Sequence, residues 1–163
     1  MEAGQEAAHG GGKSMKKTAI VYYSEHHGNT KKICQAIADA HEEVKLIDAA
    51  TKIEVDLAGF ERIGFASGIY GGKFAKKLIT FAQINLPDKK EVFILYTSAM
   101  NGKSYGEDIK EFVDKRNAKI LGMWHCKGFC TFGPLKVIGG AFKGRPGDKD
   151  IKEALAFYEG LGQ

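Results

Sequence analysis

Apolar and polar positions alternate in blocks along this chain. TAIVYY (18–23) is a β-rich apolar run closed by Ser24, with the length and composition of a fully buried strand. Beyond Gly28 the period changes: Ile33, Cys34, Ile37, Ala38 and His41 recur at helical spacing. Further strands are predicted at 44–47 (VKLI), 62–66 (RIGFA), 92–96 (VFILY) and 119–124 (KILGMW). Helix faces are predicted from Phe74, Leu78 and Phe81, and from Tyr105, Ile109, Phe112 and Val113. A last one runs through Ile151, Leu155 and Tyr158, capped by Asp148. Residues 48–60 are too broken for a confident helix and predict a short helical turn or an irregular crossover. Five strands alternating with at least four helices imply an α/β fold with parallel pairing, because parallel neighbours need a crossover connection.

In an open sheet of this kind ligands sit outside the carboxyl ends of the strands. Four loops therefore matter: SEHHGNT (24–30), SGIYGGKF (67–74), TSAMNGKSY (97–105) and HCKGFCTFG (125–133). Three of them are rich in Ser, Thr, Gly and aromatic residues, more than connection alone requires. In the first, Gly28 lets the backbone turn tightly. The N–H groups of Gly28 to Lys31 fall in a first helical turn and lack intrahelical acceptors, which favours a phosphate dianion by roughly 1 kcal/mol. The hydroxyls of Ser24 and Thr30 can donate to phosphate oxygens, as can His26 and His27. The competing reading of Glu25, His26 and His27 is a metal site. Adjacent histidines in a helix-start loop diverge, whereas chelating pairs sit one helical turn or one strand alternation apart. Phosphate is the better reading, and no metal ligands are assigned.

Composition narrows the class. A chain of 163 residues, 44% hydrophobic, forms one domain with a proper core. The net charge of +4 comes without a run of like charges, so a scattered basic surface is expected and a nucleic-acid partner is not. Three cysteines, an odd number without a signal peptide, point to a reducing cytoplasm. No apolar run approaches the roughly 18 residues a membrane helix needs, so no membrane partner is expected either. Residues 1–14 (MEAGQEAAHGGGKS) lack periodicity and read as an expression remnant or disordered arm, with Met15 the natural start of the domain. AAHGGGKS (7–14) imitates a phosphate loop, but no strand precedes it and a strand rather than a helix follows. Other nucleotide and phosphate folds are disfavoured. A phosphorelay receiver needs an Asp where Ala66-Ser67-Gly68 stands, no G-x-G-x-x-G follows the first strand, and Ser24 has no G-x-S-x-G elbow.

At 24–30 the chain resembles the flavodoxin family, whose phosphate loop runs Thr/Ser-x-Thr-Gly-x-Thr and holds the phosphate of FMN. Gly28-Asn29-Thr30 match it, His27 stands in place of a Thr, and Ser24 lies one residue further back. Ser67, Gly68, Ile69, Tyr70, Gly71 and Gly72 resemble the family's loop of small residues with an aromatic over one flavin face, Tyr70 being the candidate. Thr97, Ser98, Ala99 and Met100 resemble the segment that binds the ring edge through its backbone, with Asn101 and Gly102 shaping the turn. Tyr105 either covers the other face or packs in the helix stripe. The end of the chain, CKGFCTFGPLKVIGG onward, looks like that of small stand-alone members. The resemblance covers about Lys17 to Leu161 without a long insertion.

The resemblance implies a three-layer doubly wound sandwich with a five-stranded parallel sheet of order 2-1-3-4-5 over residues 15–163. It further implies non-covalent FMN binding and electron transfer with a redox protein or a small-molecule donor or acceptor, as a monomer or weak dimer, with no catalytic acid or base. Two alternatives stand beside it: an FMN-dependent NAD(P)H:quinone-type oxidoreductase, and an interaction module that has lost FMN. Cys126 and Cys130, spaced C-x3-C, are two ordinary thiols or a reversible disulfide near the flavin. Residues 15–163 carry about +5, where typical flavodoxins are acidic. A less negative reduction potential and a partner without a strongly basic docking face are expected. If the histidines contact the phosphate, FMN binding tightens as pH falls through about 6.5.

Overall fold

A computed structural model describes residues 15–162; the leader and its phosphate-loop look-alike lie outside them. The strands are β1 (Thr18–Tyr23), β2 (Val44–Asp48), β3 (Arg62–Tyr70), β4 (Lys73–Phe74), β5 (Glu91–Ser98) and β6 (Lys119–Lys127). The helices are α1 (Asn29–Ala40), α2 (Lys76–Asn85), α3 (Glu107–Lys115) and α4 (Asp148–Gly160), with a short 3-10 turn at Gly133–Lys136. The main sheet runs β2-β1-β3-β5-β6, every pair parallel, and β4 folds back antiparallel on the end of β3. Without that short hairpin strand this is the expected 2-1-3-4-5 order. The chain reverses direction across the sheet between β1 and β3, which places the crevice there.

The central strands are buried on both faces, so they read as continuous apolar runs. Alternate residues supply two cores. Ala19, Val21, Phe65 and Ile94 face the layer of α2 and α3, with Leu78, Phe81, Ile109 and Val113. Ile20, Tyr22, Phe93 and Leu95 face α1 and α4, with Ile33, Ile37, Ala154 and Tyr158. No helix forms over 49–61. Asp48 and Asp56 instead accept the N–H groups of Ala50 and Ala58 two residues on, turns that compete with a helix, while Leu57 and Phe60 seal the core.

Several boundaries differ from the apolar pattern: Phe74 lies in β4 and not on the α2 face, Gly147 rather than Asp148 is the N-cap of α4, and β5 extends to Ser98. β3 continues to Tyr70 and β6 to Lys127, because Ser67, Gly68, His125 and Cys126 keep the ladder with β5 although polarity interrupts the run. Gly71 and Gly72, at φ 58° and 80°, then make the tight turn into β4, as two-residue hairpins require. α3 starts only at Glu107, after Gly106 at φ 88°, so Tyr105 precedes the helix rather than lying on its stripe. Among the described residues no helix is long and apolar enough to cross a membrane.

Candidate functional site

The carboxyl ends of β1, β3, β5 and β6 frame one cleft of about 780 Å³. Its floor is the turn that joins β1 to α1. There His26, His27 and Gly28 take left-handed backbone conformations in succession, φ 44°, 63° and 64°. Such a run is unusual for residues with a Cβ. Helix α1 begins immediately after it. Ser24 does not reach into the cleft: its Oγ accepts the Lys31 N–H at 3.2 Å, and Lys32 N–H closes the first helical bond on the Gly28 carbonyl. Among the described residues, the backbone N–H groups of His26 to Thr30 meet no acceptor. These are the orphan donors of a helix start, ready for an anion.

The two histidines part company, as the divergence argument expects. His26 lines the cleft, its ring 6.0 Å from that of Tyr70. His27 turns outward, packs at a 43° tilt against the Phe129 ring with centroids 4.3 Å apart, and meets Thr131 Oγ1 at 3.0 Å through Nε2. Glu25 lines the cleft and accepts the Tyr23 hydroxyl; that bond pushes the phenol up to about 12. Thr30 is buried, its hydroxyl 2.9 Å from that of Thr97, so the two threonines tie the phosphate-type turn to the end of β5.

The β3–β4 turn forms one wall through Gly68, Ile69, Tyr70, Gly71 and Gly72. Ser67 does not face the cleft; its Oγ accepts the Ala75 N–H at 3.0 Å and donates to the Gly68 carbonyl, fixing the turn. Tyr70 is drawn toward the floor. Its hydroxyl accepts the Glu25 N–H at 3.1 Å, and burial pushes its phenol up. Opposite lie Thr97, Ser98, Ala99, Met100 and Tyr105. Asn101 and Gly102 stand behind them: Asn101 Oδ1 accepts Lys127 Nζ at 2.6 Å, and a Cβ on Gly102 would collide with the Tyr105 ring. Tyr105, ahead of α3 rather than on its stripe, packs edge-on against Tyr96 at the border of the core and lines the cleft.

Gly128 to Gly133 with Lys136 form the fourth wall, where the sequence singles out no binding residue. It is fastened to the first turn. Asn29 Nδ2 donates to the Phe129 carbonyl at 2.8 Å, and a Cβ on Gly128 would meet the Asn29 side chain. Lys32 Nζ donates to the Pro146 carbonyl at 2.5 Å. The only hint in the sequence was the density of Gly and aromatic residues in 125–133. Cys126, Cys130 and Cys34 are free thiols. Burial pushes Cys126 up to about 12, which leaves almost no thiolate for exchange.

Comparison with known proteins agrees with this architecture. A family model described as a flavodoxin domain matches residues 20–133. An uncharacterized protein of Methanocaldococcus jannaschii is 34% identical over 149 residues, covering 89% of this chain and 97% of its own. Among solved structures, a flavodoxin from the domain Archaea superposes with a TM-score of 0.55 at 20% identity, over 85% of this chain and 92% of its own. A flavoprotein in complex with FMN from Lactobacillus acidophilus superposes with a TM-score of 0.54 at 20% identity, over 68% and 93%. The solved structures agree in fold, and the family match, running from β1 through the fourth wall of the cleft, settles kinship: this chain belongs to the flavodoxin domain family.

Proposed function

We propose that the protein binds FMN non-covalently in this cleft and works as an electron carrier. The observation that carries the reading is the row of unpaired N–H groups from His26 to Thr30, at a helix start and at the floor of a cleft with mostly apolar walls. A phosphate on a planar, apolar ring system suits both parts. Gly28, Asn29 and Thr30 would hold the phosphate with their backbone N–H groups, and His26 is the side chain free to join them. Tyr70 and Tyr105 would flank the ring, and the backbone of Ala99 and Met100 would meet its polar edge. When bound, the flavin supplies the redox chemistry; the chain supplies position, exclusion of water and local charge. The complex of the Lactobacillus acidophilus relative with FMN supports the choice of flavin.

The absorbance spectrum of freshly purified protein tests this. Flavin bands in the visible, retained on gel filtration and matched to FMN by mass after denaturation, are expected. Colourless protein that does not quench added FMN would select the interaction-module reading. The exposed extension of the cleft past Phe129 toward Lys136 favours a second reading, a reductase with a small-molecule acceptor beside the flavin. Rapid NAD(P)H oxidation with quinone turnover would select that one.

A further inference from the structure

The positive charge is not scattered over this molecule. The loops around the cleft, with the first turns of the helices they enter (24–32, 68–79, 98–110 and 127–151), hold twelve Lys and Arg against five Asp and Glu. The rest of residues 15–163 holds eleven against thirteen. Most of the five acids on the cleft side are engaged. Asp150 pairs with Arg145, Glu107 with Lys110, Asp108 accepts the Phe74 N–H, and Glu25 accepts the Tyr23 hydroxyl. Lys31, Lys73, Lys76, Lys103, Lys136 and Lys143 are exposed and have no acidic partner among the described residues. The loops that border the cleft are therefore cationic, and the remainder of the domain is weakly acidic.

Inside that cationic ring stands apolar surface. Phe132, Val137 and Ile138 are 79%, 89% and 74% exposed, and Met100 across the cleft is 72% exposed. The loop that carries the first three is built rather than slack. Cys130 and Ala141 exchange two backbone hydrogen bonds at its neck, 3.0 and 2.8 Å, and Gly140 N–H donates to the Leu135 carbonyl at 2.7 Å. An apolar centre within a polar rim, presented on an ordered loop, has the anatomy of a protein interface. Here the rim is predominantly positive, which steers an oppositely charged partner and disfavours a basic one.

We infer that this face docks an acidic redox protein, a small one-electron carrier that surrounds an apolar patch with carboxylates. The apolar tips are chiefly aliphatic, which suits a protein patch better than the aromatic platforms used to stack nucleobases. The partner's redox role rests on the electron-carrier reading above; the docking itself needs only the face.

Calorimetric titration of the full chain with rubredoxin, an acidic one-electron iron protein, tests the inference. Saturable binding is expected at 50 mM NaCl, with Kd rising about tenfold by 300 mM. Joint Lys73→Glu, Lys103→Glu and Lys143→Glu substitution should weaken it by more than tenfold. The same charge change away from the cleft, Lys45→Glu, Lys89→Glu and Lys119→Glu, should alter it less than twofold. Val137→Ser with Ile138→Ser should weaken binding several-fold without changing the salt slope. Absence of saturable binding at 50 mM NaCl overturns the inference. So does equal loss from the two triple variants, or tighter binding of basic cytochrome c, single-stranded DNA or vesicles of phosphatidylglycerol. Colourless protein would defeat the electron-carrier reading and leave this titration standing on its own.

Discussion

Two neighbouring loops form the cleft in opposite ways. The β1–α1 turn, 24–30, is short, lies between a buried strand and an amphipathic helix, and takes its shape from backbone geometry at His26, His27 and Gly28. The segment from Gly128 to Gly147 is long and takes its place from attachments to other elements: Asn29 to the Phe129 carbonyl, His27 to Phe129 and Thr131, Lys32 to the Pro146 carbonyl. One loop exposes donors toward the cleft, and the other spends its polar groups on being held. The geometry of the unpaired donors is thus local, whereas the shape and the outer surface of the cleft are tertiary.

The far end of the long loop offers the strongest way to break this contrast. Asp150, buried at the start of α4, accepts Arg145 Nη2 at 2.5 Å and Nε at 3.1 Å, and the Gly147 N–H at 2.8 Å. The Arg145 hydrogen bonds hold its carboxyl below the usual range. Asp150→Asn should cost about 2 kcal/mol in denaturant unfolding. Because the folded group is depressed, its contribution is complete above the ordinary aspartate value of about 3.9. It is lost as pH falls below that toward the folded value. The variant should therefore lose less stability than the parent across that acidic window, and a parallel loss in both would place Asp150 outside the acid response.

Asn29→Leu cuts the tie to the Phe129 carbonyl at the root of the long loop. A loss of about 1–2 kcal/mol is expected, with faster hydrogen exchange at 128–133 than at 24–30. Equal acceleration in both loops would mean that they open as one unit. His27→Phe keeps the tilted ring contact with Phe129 and removes only the bond to Thr131; about 0.5–1 kcal/mol should be lost, with FMN affinity nearly unchanged. The smallest effect sharpens the comparison most. Of the two histidines, only His26 lines the cleft, so any tightening of FMN binding on acidification should vanish in His26→Gln and survive in His27→Phe. Fluorescence-quenching titrations between pH 5.5 and 8, referenced to the phosphate's own titration, read this directly.

The apolar pattern made five of the strands and the core-facing residues legible, because burial on both faces leaves a continuous signature that needs no partner to be read, whereas the strand order came from the family resemblance of the loops. The β4 hairpin and the extra length of β3 and β6 were not legible. Ser67, His125 and Lys127 are polar, and their strand state is decided by the ladder with β5 rather than by their own preference. At the cleft, Gly28-Asn29-Thr30 could be placed from sequence alone. The sequence could not divide the work between His26 and His27, nor show that Ser24 and Ser67 spend their hydroxyls on backbone N–H groups. A side chain's direction depends on what competes for it nearby.

Sequence by itself determined the class of fold, the end of the sheet at which the cleft opens and the unpaired donors of the first turn. Each follows from period, strand-to-helix order and the unsatisfied N–H groups of any helix start. Only the tertiary structure decided the fourth wall, the fate of each histidine, and the gathering of lysines from four loops onto one face. Residues separated by 100 or more positions, such as Asn29 and Phe129, meet only when the sheet has closed the distance between them.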